Sequence, residues 1–134
     1  MAADDRSTVI DADLEQIRSL ASFVRDRAIA AGLSDEALAD LELAVVEAAN
    51  NIVLHGYAGD RGSIRATAGL TENEFMVELS DDAIALPDPV FGDDPLPALT
   101  AESGRGLAII AACVDRVAYR REGGRNYLTL FKAR

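Results

Sequence analysis

Glu47 and Asn51 stand four residues apart in the run ELAVVEAANNIVLHGY, residues 42–57. On a helix that spacing turns a carboxylate and a carboxamide to one face. Together they can orient a hydroxyl nucleophile and offer oxygen to a hard cation. Asn50 is adjacent and competes for the second role. Taken alone, such a pair is more often a solvated i,i+4 hydrogen bond. Asp81 closes an alternating apolar run and can accept hydrogen bonds from a ligand amine; in isolation, aspartate there more often starts a turn. Ser103-Gly104-Arg105-Gly106 leads into an apolar stretch. Its glycines admit close backbone approach, and free N–H groups at a helix start beside Arg105 suit a phosphate. It is neither the Walker loop nor the dinucleotide fingerprint. His55, just before Gly56, suits a helix C-terminus as a cation. Cys113 sits in an apolar helix and reads as an inert core residue.

Elements must hold these residues in place. Leu14, Ile17, Ala21, Val24 and Ala28 recur at helical steps and predict a helix over 13–31 that ends at Gly32. Ser34 is an N-cap candidate, with Asp35 and Glu36 in the first turn. The second helix runs to about Leu54 on a stripe of Leu38, Leu41, Val45, Ala48 and Ile52. Ile64–Leu70 and Phe75–Leu79 alternate as two strands of a hairpin. Residues 81–103 show no period and hold all four prolines. Residues 104–114 read as a glycine-rich entry into a short helix. A Gly123-Gly124 turn joins two final strands. The order helix, helix, strand, strand, loop, helix, strand, strand predicts an α+β two-layer sandwich. Its mixed or antiparallel sheet is covered on one face by helices.

The 134 residues fit one domain, 1–134. One cysteine and one histidine exclude a disulfide framework and a multi-histidine metal centre. With no long apolar run and an acidic, polar start, the expectation is a cytoplasmic protein that engages no membrane. The net charge of −10 argues against direct nucleic-acid binding. Residues 101–134, with seven basic and three acidic side chains, predict a positive closing hairpin.

The segments 42–57, VELSDDAIALPDP (77–89), ESGRGLAII (102–110) and the tail 114–132 occur in an order that resembles the GHKL ATPases. The short form is similar to the anti-sigma-factor serine/threonine kinases of bacterial partner-switching systems. The resemblance spans about residues 8–132. It implies the Bergerat ATP-binding fold, with ATP and Mg²⁺ as cofactors. Glu47 is then the catalytic carboxylate, Asn51 the Mg²⁺ ligand and Asp81 the acceptor of the adenine amine. Gly104 and Gly106 admit the phosphates, with Arg105 nearby. His55 and Ala83 lie in the nucleotide-binding motifs, and residues 87–101 form the ATP lid. The implied partners are a small phospho-acceptor antagonist and a sigma factor or similar regulator. A homodimer is a further expectation, pairing through the first helix with Leu20 and Phe23. The middle motif departs from the family, because Ala83 and Ala85 stand where glycine or proline is usual. An alanine forced into a left-handed conformation there costs about 1–2 kcal/mol. A partner-switching binding module with weak or lost catalysis is therefore the alternative. A sensor histidine kinase lacks an upstream phospho-acceptor helix here, and no nucleophile–base pair supports a hydrolase.

Overall fold

The computed structural model describes residues 6–58, 60–83 and 101–134, with side chains in the last segment from Gly106 onward. The chain opens on β1 (Ser7–Asp11), whose Ile10 is buried. Asp13 caps a 3-10 turn, Leu14–Gln16, by accepting from the Glu15 N–H. Helix α1 (Ile17–Ala30) and helix α2 (Asp35–Asn51) follow. Gly32 links them at φ +84°, and the Ser34 hydroxyl accepts from the Ala37 N–H to cap α2. Strands β2 (Ser63–Leu70) and β3 (Glu74–Asp81) come next. Helix α3 (Ala101–Cys113) precedes β4 (Arg116–Glu122) and β5 (Arg125–Ala133). Gly123 and Gly124 take φ +55° and +81° in the β4–β5 turn.

The sheet order is β1-β2-β3-β5-β4, with every pairing antiparallel. Its inner face presents Ile64, Ala66, Phe75, Val77, Leu79 and Leu130, each at most 2% exposed. Against it pack Leu20, Val24, Leu41, Val45 and Ile110 from the three helices. The α+β sandwich is thus present, and no described helix is long and apolar enough to cross a membrane.

Several sequence expectations are corrected. Strand β1 was not expected, because five residues beside a helix cap give too short a run for alternation to register. Leu14 leaves the core stripe and is 50% exposed, since the 3-10 turn winds three residues per turn and rotates it outward. Leu20 is fully buried, so it offers no surface for pairing with a second copy, and Phe23 packs against the core. Leu70 ends its strand exposed. The glycines at 104 and 106 do not precede α3 but lie within it, because the helix already begins at Ala101. The closing hairpin is not a positive surface either. Arg116, Arg120 and Arg125 reach across the sheet to Glu74, Glu78 and Asp82. Arg116 and Arg120 also stack over the rings of Phe131 and Tyr127.

Tyr57 ties the end of the helical layer to the sheet. Its hydroxyl donates to the Ser63 carbonyl at 2.7 Å and accepts from the Asp82 N–H at 2.9 Å. Gly62 lies so close under the ring that an added Cβ would fall 2.2 Å from it. Tyr57→Phe is expected to cost about 1–3 kcal/mol, because two backbone groups lose a partner. A lower denaturant midpoint at unchanged slope checks this. Burial pushes the Cys113 thiol up, Asp40 and Glu47 adding to the effect and Lys132 opposing it. The raised value contributes stability below the ordinary cysteine range that is lost as pH rises through it. Unfolding curves of wild type and Cys113→Val are therefore expected to separate above about pH 8.5, with the wild type falling faster.

Candidate functional site

Helix α2 does not end at Asn51 in a free terminus. It widens into a π-helical turn, Ile52–Gly56, in which the Tyr57 N–H donates to the Ile52 carbonyl at 2.8 Å. Such turns are frequent at functional sites. This one brings Gly56 against the exit of β3, where an added Cβ would sit 3.0 Å from the Ala83 Cβ. A side chain at position 56 would require Ala83 to give by a few tenths of an ångström.

Between these elements lies a narrow cleft that encloses about 30 Å³. Ala48, Asn51, Ile52 and Gly56 form one wall, and Leu107 and Ile110 of α3 a second. The floor is Asp81, Ala83, Tyr119, Asn126 and Leu128 from the ends of β3, β4 and β5. An apolar cleft with a few convergent polar groups is the usual form of a small-molecule site.

Two polar groups face it without a protein partner among the described residues. The first is the Asn51 carboxamide, which lies over Gly106. A Cβ at Gly106 would come within 3.1 Å of its Nδ2 and 3.2 Å of its Oδ1. The second is Oδ2 of Asp81. The side chain is 4% exposed, and Oδ1 accepts from the Ala83 N–H and from Nδ2 of Asn126, both at 2.9 Å. Oδ2 accepts nothing, and no buried side-chain polar atom lacks a partner among the described residues, so Oδ2 opens into the cleft. A lone acceptor in an apolar wall fits the exocyclic amine of a base, and a carboxamide oxygen fits a hydrated divalent cation.

The structure thus brings Asn51, Asp81, Ala83 and Gly106 together. Glu47 stands one turn before Asn51, about 6 Å along the helix, half-buried and outside the residues that line the cleft. Its carboxylate lies close enough to Cys113 of α3 to help raise that thiol. His55 is exposed on the π-helical turn and is not among the residues that line the cleft. The Gly104 backbone belongs to the first turn of α3. The Arg105 side chain, Ala85 and the proposed lid up to residue 100 lie outside the described residues. Among the described residues no three His, Cys, Asp or Glu side chains cluster as metal ligands. A cation here would rest on Asn51 and on its own ligands. Ala83 does not adopt a positive φ, since Ala58 is the one described non-glycine residue that does. The conformational cost expected for alanine is therefore not incurred, and what remains is the volume of one methyl group in the cleft.

Asn126, Tyr119, Arg121 and Tyr57 were missed from the sequence. Asn126 lies 45 residues from Asp81, and only the β3–β5 register makes them direct neighbours. A buried polar residue in the inward phase of an apolar strand, between Arg125 and Leu128, was the one available signal.

Residues 10–132 match the histidine kinase-like ATPase domain. The chain is 25% identical over 100 residues to the anti-sigma F factor of Clostridium acetobutylicum, covering 72% of this chain and 70% of that protein. It is 28% identical over 105 residues to the serine-protein kinase RsbW of Bacillus thuringiensis, covering 72% of this chain and 65% of the relative. The fold superposes with a TM-score of 0.66 on the crystal structure of the RsbU and RsbW domains of Rv1364c from Mycobacterium tuberculosis. That match has 23% identity and covers 96% of this chain but 33% of the other.

Gly106→Ala tests the Asn51 contact. Alanine favours a helix by up to about 1 kcal/mol over glycine, and the unpartnered carboxamide can turn aside. Thermal stability is expected to hold or rise, while the Asn51 side-chain amide resonances move. Unmoved resonances would show that the contact does not constrain Asn51.

Proposed function

Since the chain belongs to the histidine kinase-like ATPase domain family, we propose that it binds Mg·ATP in this cleft and phosphorylates a serine or threonine of a small antagonist protein. In the same reading it acts as an anti-sigma factor that sequesters a sigma factor or an analogous regulator. The names of its relatives, an anti-sigma factor and a serine-protein kinase, support both halves. The observation that carries the reading is the convergence of Asn51, Gly106 and the open Oδ2 of Asp81 on one cleft.

ATP supplies the phosphoryl group, and the chain's own part is positioning and charge placement. Asp81 accepts the adenine amine, and the apolar walls exclude water from the base. Asn51 offers Oδ1 to Mg²⁺. Gly104 and Gly106, with no side chain, let the first two turns of α3 approach the phosphates, the N–H groups of its start aimed at negative charge. Arg105 and residues 87–101 are assigned the phosphate contact and the lid. Glu47, one turn before Asn51 and without a hydrogen-bond partner among the described residues, takes or orients the proton of the incoming hydroxyl.

A second reading is a binding module that has lost transfer. The Ala83 methyl in the cleft, 3.0 Å from where a Gly56 Cβ would stand, favours it. Calorimetry with Mg·ATP and transfer of labelled γ-phosphate to an antagonist separate the two. Transfer is expected, and Glu47→Ala is expected to lower it about 10²-fold or more while sparing ATP affinity. No heat with millimolar Mg·ATP, alongside tight partner binding, would leave the second reading standing.

A further inference from the structure

Asp81, Asn126 and Arg121 form one row across three strands, because Asp81 pairs with Asn126 in the β3–β5 register and Asn126 with Arg121 in the β4–β5 register. The Asn126 side chain, 5% exposed, uses every part of its carboxamide. Its Nδ2 donates to Asp81 Oδ1 at 2.9 Å and to the Ala83 carbonyl at 3.0 Å. Its Oδ1 accepts from the Tyr119 hydroxyl at 2.5 Å and from Nη1 of Arg121 at 2.8 Å. Chemistry dictates this orientation. The carboxylate and the carbonyl only accept, and the guanidinium only donates. A flipped amide would set oxygen against two acceptors and N–H against a cation. Arg121 Nη1 also donates to the Ala83 carbonyl at 3.1 Å, so the chain leaving β3 is fixed from two sides.

We propose that Asn126 is the positioning residue of the base subsite. Held in one orientation by Tyr119 and Arg121, it occupies Oδ1 of Asp81, so that the carboxylate shows the cleft a single acceptor, Oδ2. The subsite then selects a base with an exocyclic amine at that point over one with a carbonyl. The same amide anchors Ala83, which lets alanine stand where the family motif carries glycine. This rests on the reading of the cleft as a nucleotide site.

The test compares equilibrium binding of Mg·ATP and Mg·ITP, which differ at the 6-position in amine against carbonyl. Binding alone is read, so loss of phosphoryl transfer does not enter. The wild type is expected to prefer ATP by about tenfold or more, the range of one hydrogen bond to a charged group. In Asn126→Ala the preference is expected to collapse toward unity, mainly through weaker ATP binding. Tyr119→Phe, which keeps the ring and loses one donor, should reduce it less. Asn126→Asp sets two carboxylates side by side, and such pairs share a proton as pH falls. Its preference for ATP should be poor at neutral pH and recover on acidification, when an O–H again donates to Asp81. A purely structural role for Asn126 would weaken both nucleotides alike and produce no such recovery. If the wild type prefers ATP and both Asn126 variants retain the ratio at every pH, the proposal fails while the nucleotide site stands. If the wild type binds neither nucleotide, the functional reading and the proposal fall together.

Discussion

A carboxylate at the end of the central strand, 4% exposed, is the feature to which the neighbouring structure is fitted. Asp81 is removed from water on the inner face of the sheet, and burial of such a group is costly unless donors meet it. One donor comes from the chain itself, the Ala83 N–H two residues on, and one from Asn126 on the adjacent strand. Asn126 is in turn buried and has an oxygen to satisfy, which Tyr119 and Arg121 do from β4. The need for partners is passed outward across three strands until it reaches a guanidinium at the surface. A one-residue slip between β3 and β5 would turn Asn126 to the opposite face and break every step of the chain.

The rest of the cleft is fitted around that row by removing atoms. Gly56 closes a π-helical turn against Ala83, and Gly106 lets the second turn of α3 lie against Asn51. In both places a single Cβ would occupy the approach. The motif departure at Ala83 has a milder effect than its sequence implies. Its backbone is not left-handed, and its carbonyl holds two side-chain donors that a more mobile glycine would also need. The outer face of the sheet obeys a different constraint. Three arginines of the β4–β5 hairpin reach Glu74 and Glu78 of β3 and Asp82 just past its end, so the basic tail and the acidic body counted separately along the chain cancel locally in space.

Much of this was legible beforehand. The stripe Leu38–Leu41–Val45–Ala48–Ile52 is buried throughout, as are Ile64, Ala66 and Ala68 of β2 and Phe75, Val77 and Leu79 of β3. Gly32 and the Gly123-Gly124 turn adopt the positive φ that their residue type suggested, and Ser34 caps α2. These are local properties, written in periodicity and in residues with unusual backbone freedom. Element ends were less legible. The 3-10 turn at Leu14, the π-helical turn at Ile52 and the start of α3 at Ala101 depend on what the next element packs against. His55 lies on that π-helical turn and faces solvent.

The sequence by itself therefore determined the layers, the strand phases and two residues of the cleft, Asn51 and Asp81, with Gly106 beside Asn51, because helix spacing and strand alternation act over a few residues. The tertiary structure alone decided how Asp81 is held. Beyond the adjacent Ala83 N–H, its partner is Asn126, 45 residues away, and Asn126 is held in turn by Tyr119 and Arg121, residues of types that carry no motif. A hydrogen bond across strands is specified by register, and register is a property of the packed sheet rather than of any segment within it.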